Sequence, residues 1–190
     1  MLQDTSSTNI GATSIGDSRT IRAQEIEALH RRCGVYTKPE IVDRILDAVG
    51  WQSDADLSEC RLLEPAAGDG AFVAEAGRRL IVSFVHHDIP LKAGYLVDRI
   101  MAFELHRREA RRAKARIVKL LRNLGVRSPT ARACARSWIV NGDFLLTKIR
   151  PQSFTHAVGN PPYVRWSKIP SNLKARYRQH RPRARTGGDL

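Results

Sequence analysis

The chain has 190 residues, 42% of them hydrophobic, three cysteines and a net charge of +13. This suits one ordinary domain with a packed core. No apolar run approaches a membrane span, the longest obvious one being "LIVSFV" at Leu80 to Val85, and the amino-terminal residues lack the basic start and apolar stretch of a secretory signal. Cys33, Cys60 and Cys134 are far apart and without metal-ligand spacing, so they read as buried reduced thiols of a cytoplasmic protein with no metal site. The charge is strongly polarised. Residues 1–104 carry 11 Lys+Arg against 16 Asp+Glu, and residues 105–190 carry 21 against 3. A solvated basic face explains any single run. An excess across half a chain points to a polyanion, and nucleic acid is the usual one.

Residues 1–20 read as a disordered lead-in, and a helix is expected over about Ile21 to Arg32. In "GVYTKPEIVDRILDAVGW", Thr37 and Glu40 have capping-box spacing with Pro39 in the first turn. Ile41, Val42, Ile45, Leu46 and Val49 then follow on one helical face. Thr37 is thereby placed at a helix N-terminus, where backbone N–H groups attract an anion. "RLLE" predicts a strand, "PAAGDG" a tight turn, and Phe72, Val73, Ala76, Leu80, Ile81 and Phe84 a helical stripe. Strand, Gly-rich turn and helix open a nucleotide-binding α/β unit, and Gly68 and Gly70 let backbone approach a ligand.

One short helix is expected at Leu91 to Val97, then a strand "RIMAFEL" containing Glu104. "HRREARRAKARIVKLLRNLG" predicts a helix with Ala110, Ala113, Ile117, Leu120, Leu121 and Leu124 inward. Its outer face holds Arg107, Arg108, Arg111, Arg112, Arg116, Lys119 and Arg122. "SWIVNGDFL" predicts a third strand with a turn at Asn141-Gly142-Asp143, and "THAVGNPPY" a fourth. Strands alternating with helices imply a mostly parallel sheet.

Four features then fall at carboxyl ends of strands: Glu64 to Gly70, Glu104, Asp143, and Asn160 to Tyr163. In an open α/β sheet that edge binds ligands. Each feature is weak alone: Glu104 also suits a surface acid, Asp143 a turn, and "NPPY" a proline-terminated strand. As ligand groups, Glu104 suits a ribose diol and Asp143 an adenine amino group, with the Phe144 backbone at the ring edge. Glu64 and Asp69 suit a ligand with positive charge. Two prolines after Asn160 make a rigid turn presenting carbonyls and one amide, a set of acceptors for an –NH2 group. Tyr163 adds a stacking surface for a base.

With these residues in order, the chain resembles S-adenosylmethionine-dependent adenine-N6 DNA methyltransferases of restriction–modification and phage-defence systems, in their gamma-type motif arrangement. "GVYTKPEIV" resembles the Y-T-P cofactor motif, with Lys38 interposed. "LEPAAGDGAFV" resembles D/E-P-A-C-G-S-G-x-F, with Ala67 for Cys and Asp69 for Ser. "FEL" at Glu104, "NGDFL" and "NPPY" match the later motifs, so the likeness covers roughly residues 30–166.

The resemblance implies a Rossmann-like class I methyltransferase fold. Tyr36 and Thr37 would belong to the cofactor motif, Thr37 at the carboxylate. Glu64, Ala66 and Gly68 would line the methionine end, with Gly70 also binding the cofactor, Glu104 would hold the ribose, and Asp143 and Phe144 would read the adenine. Asn160 and the Pro161 carbonyl would accept from the target N6, with Pro162 fixing the turn and Tyr163 stacking on the flipped base. The expected reaction uses alignment and charge placement, with neither metal nor covalent nucleophile.

The family's sheet has seven strands and this chain supplies about four, so it is expected to be the N-terminal part of the catalytic domain over residues 21–166. Residues 167–190 are expected to be a truncated basic loop. The chain alone is then expected to be inactive, needing DNA and a C-terminal part or specificity subunit. Three other readings stand: an NPPY methyltransferase acting on protein glutamine or ribosomal RNA, a non-catalytic nucleic-acid-binding fragment, and an inert relic of a disrupted gene.

Overall fold

The structure is a computed structural model that describes residues 37–180. The expected lead-in, the helix at Ile21 to Arg32, Cys33 and Tyr36 lie outside the described residues, as do residues 181–190.

The chain forms an α/β domain around a four-stranded, all-parallel sheet in the order β3-β2-β1-β4. Helix α1 is Pro39–Ala48, followed by β1 (Leu62–Glu64) and α2 (Ala71–His86). The short α3 (Ala93–Leu96) leads into β2 (Ile100–Glu104). Then come α4 (Arg107–Asn123), α5 (Ser128–Trp138), β3 (Ile139–Asn141) and β4 (His156–Ala157). A further helix, α6, spans Ser171–His180 within the segment read as a loop. This is the Rossmann-like class expected from alternating strands and helices.

The predicted apolar stripes are the core. Phe72, Val73, Ala76, Leu80, Ile81 and Phe84 of α2 and Ala110, Ala113, Ile117 and Leu121 of α4 are all buried. Two tryptophans are fully buried, and each indole N–H finds a carbonyl: Trp51 donates to Ala76 at 3.0 Å and Trp138 to Leu96 at 2.9 Å. A buried cation, Arg79, bridges helices by pairing with Asp43 and Asp47 of α1 and Glu75 of α2. Cys134 is buried, which pushes its thiol up to about 12, whereas Cys60 is only half-buried.

Two local expectations are corrected. The short helix is Ala93–Leu96, narrower than Leu91 to Val97. Ser137 and Trp138 end a helix, not begin a strand. That helix, α5, went unread because its buried positions Ala131, Cys134, Ala135 and Trp138 are mostly small. They nevertheless keep the i, i+3, i+4, i+7 spacing, and Pro129 lies in the first turn.

Gly70 has a packing role. Its φ is +83°, and a Cβ there would lie 2.9 Å from the Ala113 Cβ of α4. So Gly70 is required where α2 meets α4, and its missing side chain faces a helix rather than a ligand. Gly70→Ala is expected to cost about 2–3 kcal/mol, from left-handed strain plus overpacking. A shift in the chemical denaturation midpoint checks this, with partial recovery in the Gly70→Ala, Ala113→Gly double variant. An unchanged midpoint would refute it.

Candidate active site

The strand order creates a crevice. From β1 the chain builds outward through β2 to β3, then crosses to the other side of β1 for β4. The β1–β4 boundary is therefore the topological switch point, where loops leaving the strands diverge and ligands bind. Glu64 ends β1, and Gly159-Asn160 lies just past β4. The two are in contact range: a Cβ on Gly159 would lie 3.6 Å from Glu64 Cγ and 3.5 Å from Pro65 Cδ. Asn160 Nδ2 donates to Thr37 Oγ1 at 3.4 Å across 123 residues of sequence. Thr37, Glu64 and Asn160 thus meet at one crevice.

The capping box does not form. The N-cap of α1 is Lys38, with no side-chain cap hydrogen bond. Pro39 sets this, because the residue before a proline is pushed to extended backbone, and Lys38 has ψ 145°. Thr37 is left one residue further out, with its hydroxyl toward Asn160.

Glu64 is the most unusual group in the crevice. It is 1% exposed, and its Oε2 has no hydrogen-bond partner among the described residues. Burial holds its carboxyl well above the ordinary range, and the negative charges of Glu104 and Asp69 push the same way. An ionised carboxylate buried without a partner is costly, and a cationic ligand group would offset that cost.

Glu104 organises the turn after β1. Its Oε2 accepts from Gly68 N at 2.8 Å and its Oε1 from His106 N at 2.6 Å. Ala67 N donates to the Phe103 carbonyl at 2.7 Å, so the half-buried turn around Ala66 is tied to the end of β2. Burial raises the Glu104 carboxyl against the lowering effect of the backbone donors. Each carboxylate oxygen retains accepting capacity for a further donor. Gly68 has φ +56°, and a Cβ there would meet nothing within 4 Å, so open space lies beside its backbone. Asp69 does not stand as a free acid for a charged ligand: its Oδ2 pairs with Arg116 of α4 at 2.9 Å.

Asp143 is a turn residue just past β3. It caps the 3-10 turn Phe144–Leu146, its Oδ1 accepting from Leu145 N at 2.9 Å. Its Oδ2 accepts from the Tyr177 hydroxyl of α6 at 2.8 Å. The Phe144 ring stands edge-on to Phe103, with centroids 5.5 Å apart. Asn141, expected only in a turn, joins the strand ends: its Nδ2 donates to the Glu104 carbonyl at 2.8 Å.

Beyond Asn160 the chain alternates between solvent and core. Pro161 is exposed, Pro162 is half-buried, and Tyr163 is 79% exposed. Val164 then anchors the segment in a small apolar cluster with Ile169 and Tyr177. The Tyr163 ring is thus left in solvent while the residue after it is held.

The predicted outer face of α4 is exposed throughout, though Arg112 pairs with Glu109 and Arg116 with Asp69. A groove of about 710 Å³ between α4 and α5 is lined by Lys114, Lys119, Arg122, Arg132 and Arg136 and by no acid. Among the described residues no cluster of three or more His, Cys, Asp or Glu is placed to hold a metal, and no helix is long and apolar enough to cross a membrane.

Known proteins bear on this arrangement. The type II methyltransferase M.XhoI of Xanthomonas vasicola is 41% identical over 149 residues, which is 77% of this chain and 27% of the relative. M.PaeR7I of Pseudomonas aeruginosa is 40% identical over 79% of this chain and 26% of its own length. M.BstVI of Geobacillus stearothermophilus is 36% identical over 76% and 27%. This chain is similar to type II methyltransferases. It spans about a quarter of the length of the curated relatives it matches. No protein-family model matches it.

Proposed function

We propose that this chain carries the cofactor pocket and the amine grip of an S-adenosylmethionine-dependent DNA adenine-N6 methyltransferase of a restriction–modification system. The observation that carries this is the crevice at the switch point, where a buried carboxylate (Glu64) with one oxygen unpartnered among the described residues lies beside an Asn-Pro-Pro-Tyr turn with an exposed ring. Similarity to type II methyltransferases supports DNA over protein glutamine or ribosomal RNA.

The residues fit the cofactor. Glu64 suits an ammonium group, since that would supply the charge and the donor that Oε2 lacks. Glu104 retains acceptor capacity for two ribose hydroxyls, and the space beside Gly68 admits the methionine end near Ala66. Asp143 and the Phe144 backbone suit the amine and ring edge of adenine. Thr37, with Tyr36 before it, would complete the carboxylate end. When bound, S-adenosylmethionine supplies an electrophilic methyl group on a sulfonium.

The chain's own work is on the target amine. The lone pair of an exocyclic adenine nitrogen is delocalised into the ring, which makes it a poor nucleophile. Two acceptors on its N–H bonds favour a more tetrahedral, localised nitrogen. Because Asn160 Nδ2 is engaged by Thr37, the amide presents Oδ1 as one acceptor. The Pro161 carbonyl supplies the other, and the rigid Pro161-Pro162 pair holds both without reorganisation. Tyr163 stacks on a base that has left the duplex. Basic residues of α4, with Arg176 and Arg178 of α6, would contact phosphates. A cytoplasmic location belongs to this reading, as does a further polypeptide part or specificity subunit that selects the site.

Transfer of a labelled methyl group tests the reading. The chain is assayed alone and supplemented with the part of the 41% identical relative that it does not match. The expected product is N6-methyladenine in DNA, identified after digestion to nucleosides. DNA binding by a chain that shows no calorimetric binding of S-adenosylmethionine would instead favour a non-catalytic nucleic-acid-binding module.

A further inference from the structure

We propose that Tyr177 is a positioning residue for the adenine base of the cofactor, acting through the carboxylate of Asp143. This rests on the cofactor reading above and adds a residue that lies outside all five motifs.

The geometry is specific. The Tyr177 hydroxyl donates to Asp143 Oδ2 at 2.8 Å, across 34 residues of sequence. Leu145 N donates to Oδ1 of the same carboxylate at 2.9 Å. One donor on each oxygen fixes both the position and the rotation of the carboxylate plane. A single donor would leave it free to turn. Each oxygen still has a lone pair for a further donor, so the carboxylate is held rather than consumed.

Both donors belong to one packed unit. Tyr177 is 6% exposed and packs with Val164 and Ile169, against Leu145, Leu146, Trp166 and Leu173. Leu145 and Leu146 are in the turn that Asp143 caps, so the apolar cluster seats α6 on that turn and brings the phenol to the acid. Burial, and then the bond to Asp143, push the Tyr177 phenol above its ordinary range, so it stays a protonated donor across the working pH. The chemistry selects a ligand that donates a proton. An exocyclic amine meets that need, and a ring carbonyl in its place does not.

The test compares two ligands that differ at that group, S-adenosylhomocysteine and S-inosylhomocysteine, by calorimetry on the full chain. Tyr177→Phe is expected to weaken S-adenosylhomocysteine about 5- to 20-fold and leave S-inosylhomocysteine within about twofold. In an Asp143→Asn background Tyr177→Phe should add nothing, because the two act as one unit. Phe keeps the ring in its cluster, and a thermal melt checks the fold. Replacing Tyr177 with 4-aminophenylalanine restores a donor and should recover affinity. Equal losses for both ligands would make Tyr177 merely structural and overturn the proposal. So would unchanged or tighter binding, the latter marking the phenol as a competitor of the cofactor. In those cases the cofactor reading stands. If the unsubstituted chain binds neither ligand, both readings fall.

Discussion

Asn160→Ala is expected to slow methyl transfer about a thousandfold, while cofactor affinity changes by no more than about threefold. The asymmetry is the point of the prediction. In the proposed reading Asn160 serves the target base, and its amide is steered by Thr37 rather than by the loop around Gly68. Truncation removes one of two acceptors on the attacking nitrogen and leaves Glu64 and Glu104 untouched. The Pro161 carbonyl remains, so some rate survives. Thr37→Val is expected to slow transfer less than Asn160→Ala, because Asn160 keeps its amide but loses the partner that orients it, and to weaken cofactor binding as well, because Thr37 serves the carboxylate end in the proposed reading. Single-turnover transfer in the supplemented protein, with calorimetry on the same variants, separates the effects. A rate within threefold of the unsubstituted protein would end the catalytic assignment of Asn160. A parallel loss of cofactor affinity would move it into the cofactor pocket.

Glu64→Gln is expected to have two effects of opposite sign. Without ligand the variant should be more stable at neutral pH by about 1–3 kcal/mol, because an amide folds into that site without having to take up a proton. The pH dependence follows from the raised folded-state value. Glu64 has an ordinary value of 4.5, and burial raises it when the chain folds. The folded state therefore holds a proton that the unfolded state releases. The stability associated with that proton is fully present below the ordinary carboxylate range and is lost as pH rises through the raised value. Glu64→Gln should flatten this slope, which denaturation series across pH can measure. With ligand the order reverses. Cofactor affinity should fall about 30- to 100-fold, since an amide cannot complement an ammonium charge. Binding to the unsubstituted chain should release a proton from Glu64, visible as heats that depend on the buffer's ionisation enthalpy. A variant that is neither more stable nor weaker in binding would show that the unpartnered oxygen has no ligand role.

The legible part of this molecule was local. The stripes of α2 and α4 were readable because a 3.6-residue period is written in the residues that form it, and strands separated by helices implied a parallel sheet. The carboxyl ends of the strands were equally legible, and with them Glu64, Glu104 and Asn160 as neighbours on one edge. Helix α5 was missed because small buried side chains give a faint apolar signal. The capping box was read from spacing alone, and the strong backbone preference imposed by Pro39 moved the cap to Lys38.

Sequence by itself therefore determined the class of fold, the sheet edge at which the strand-end residues gather and the residue types offered there, since all of these follow from short-range pattern. Tertiary structure alone decided what each side chain faces. Gly70 meets Ala113, Asp69 meets Arg116, and Asp143 meets Tyr177, partners that lie between 34 and 47 residues away in the chain. The same packing left Glu64 buried with one oxygen unmatched. No local rule encodes such pairings, because burial and distance are properties of the assembled core, and they separate an acid with an unmatched buried oxygen from an acid held by an arginine.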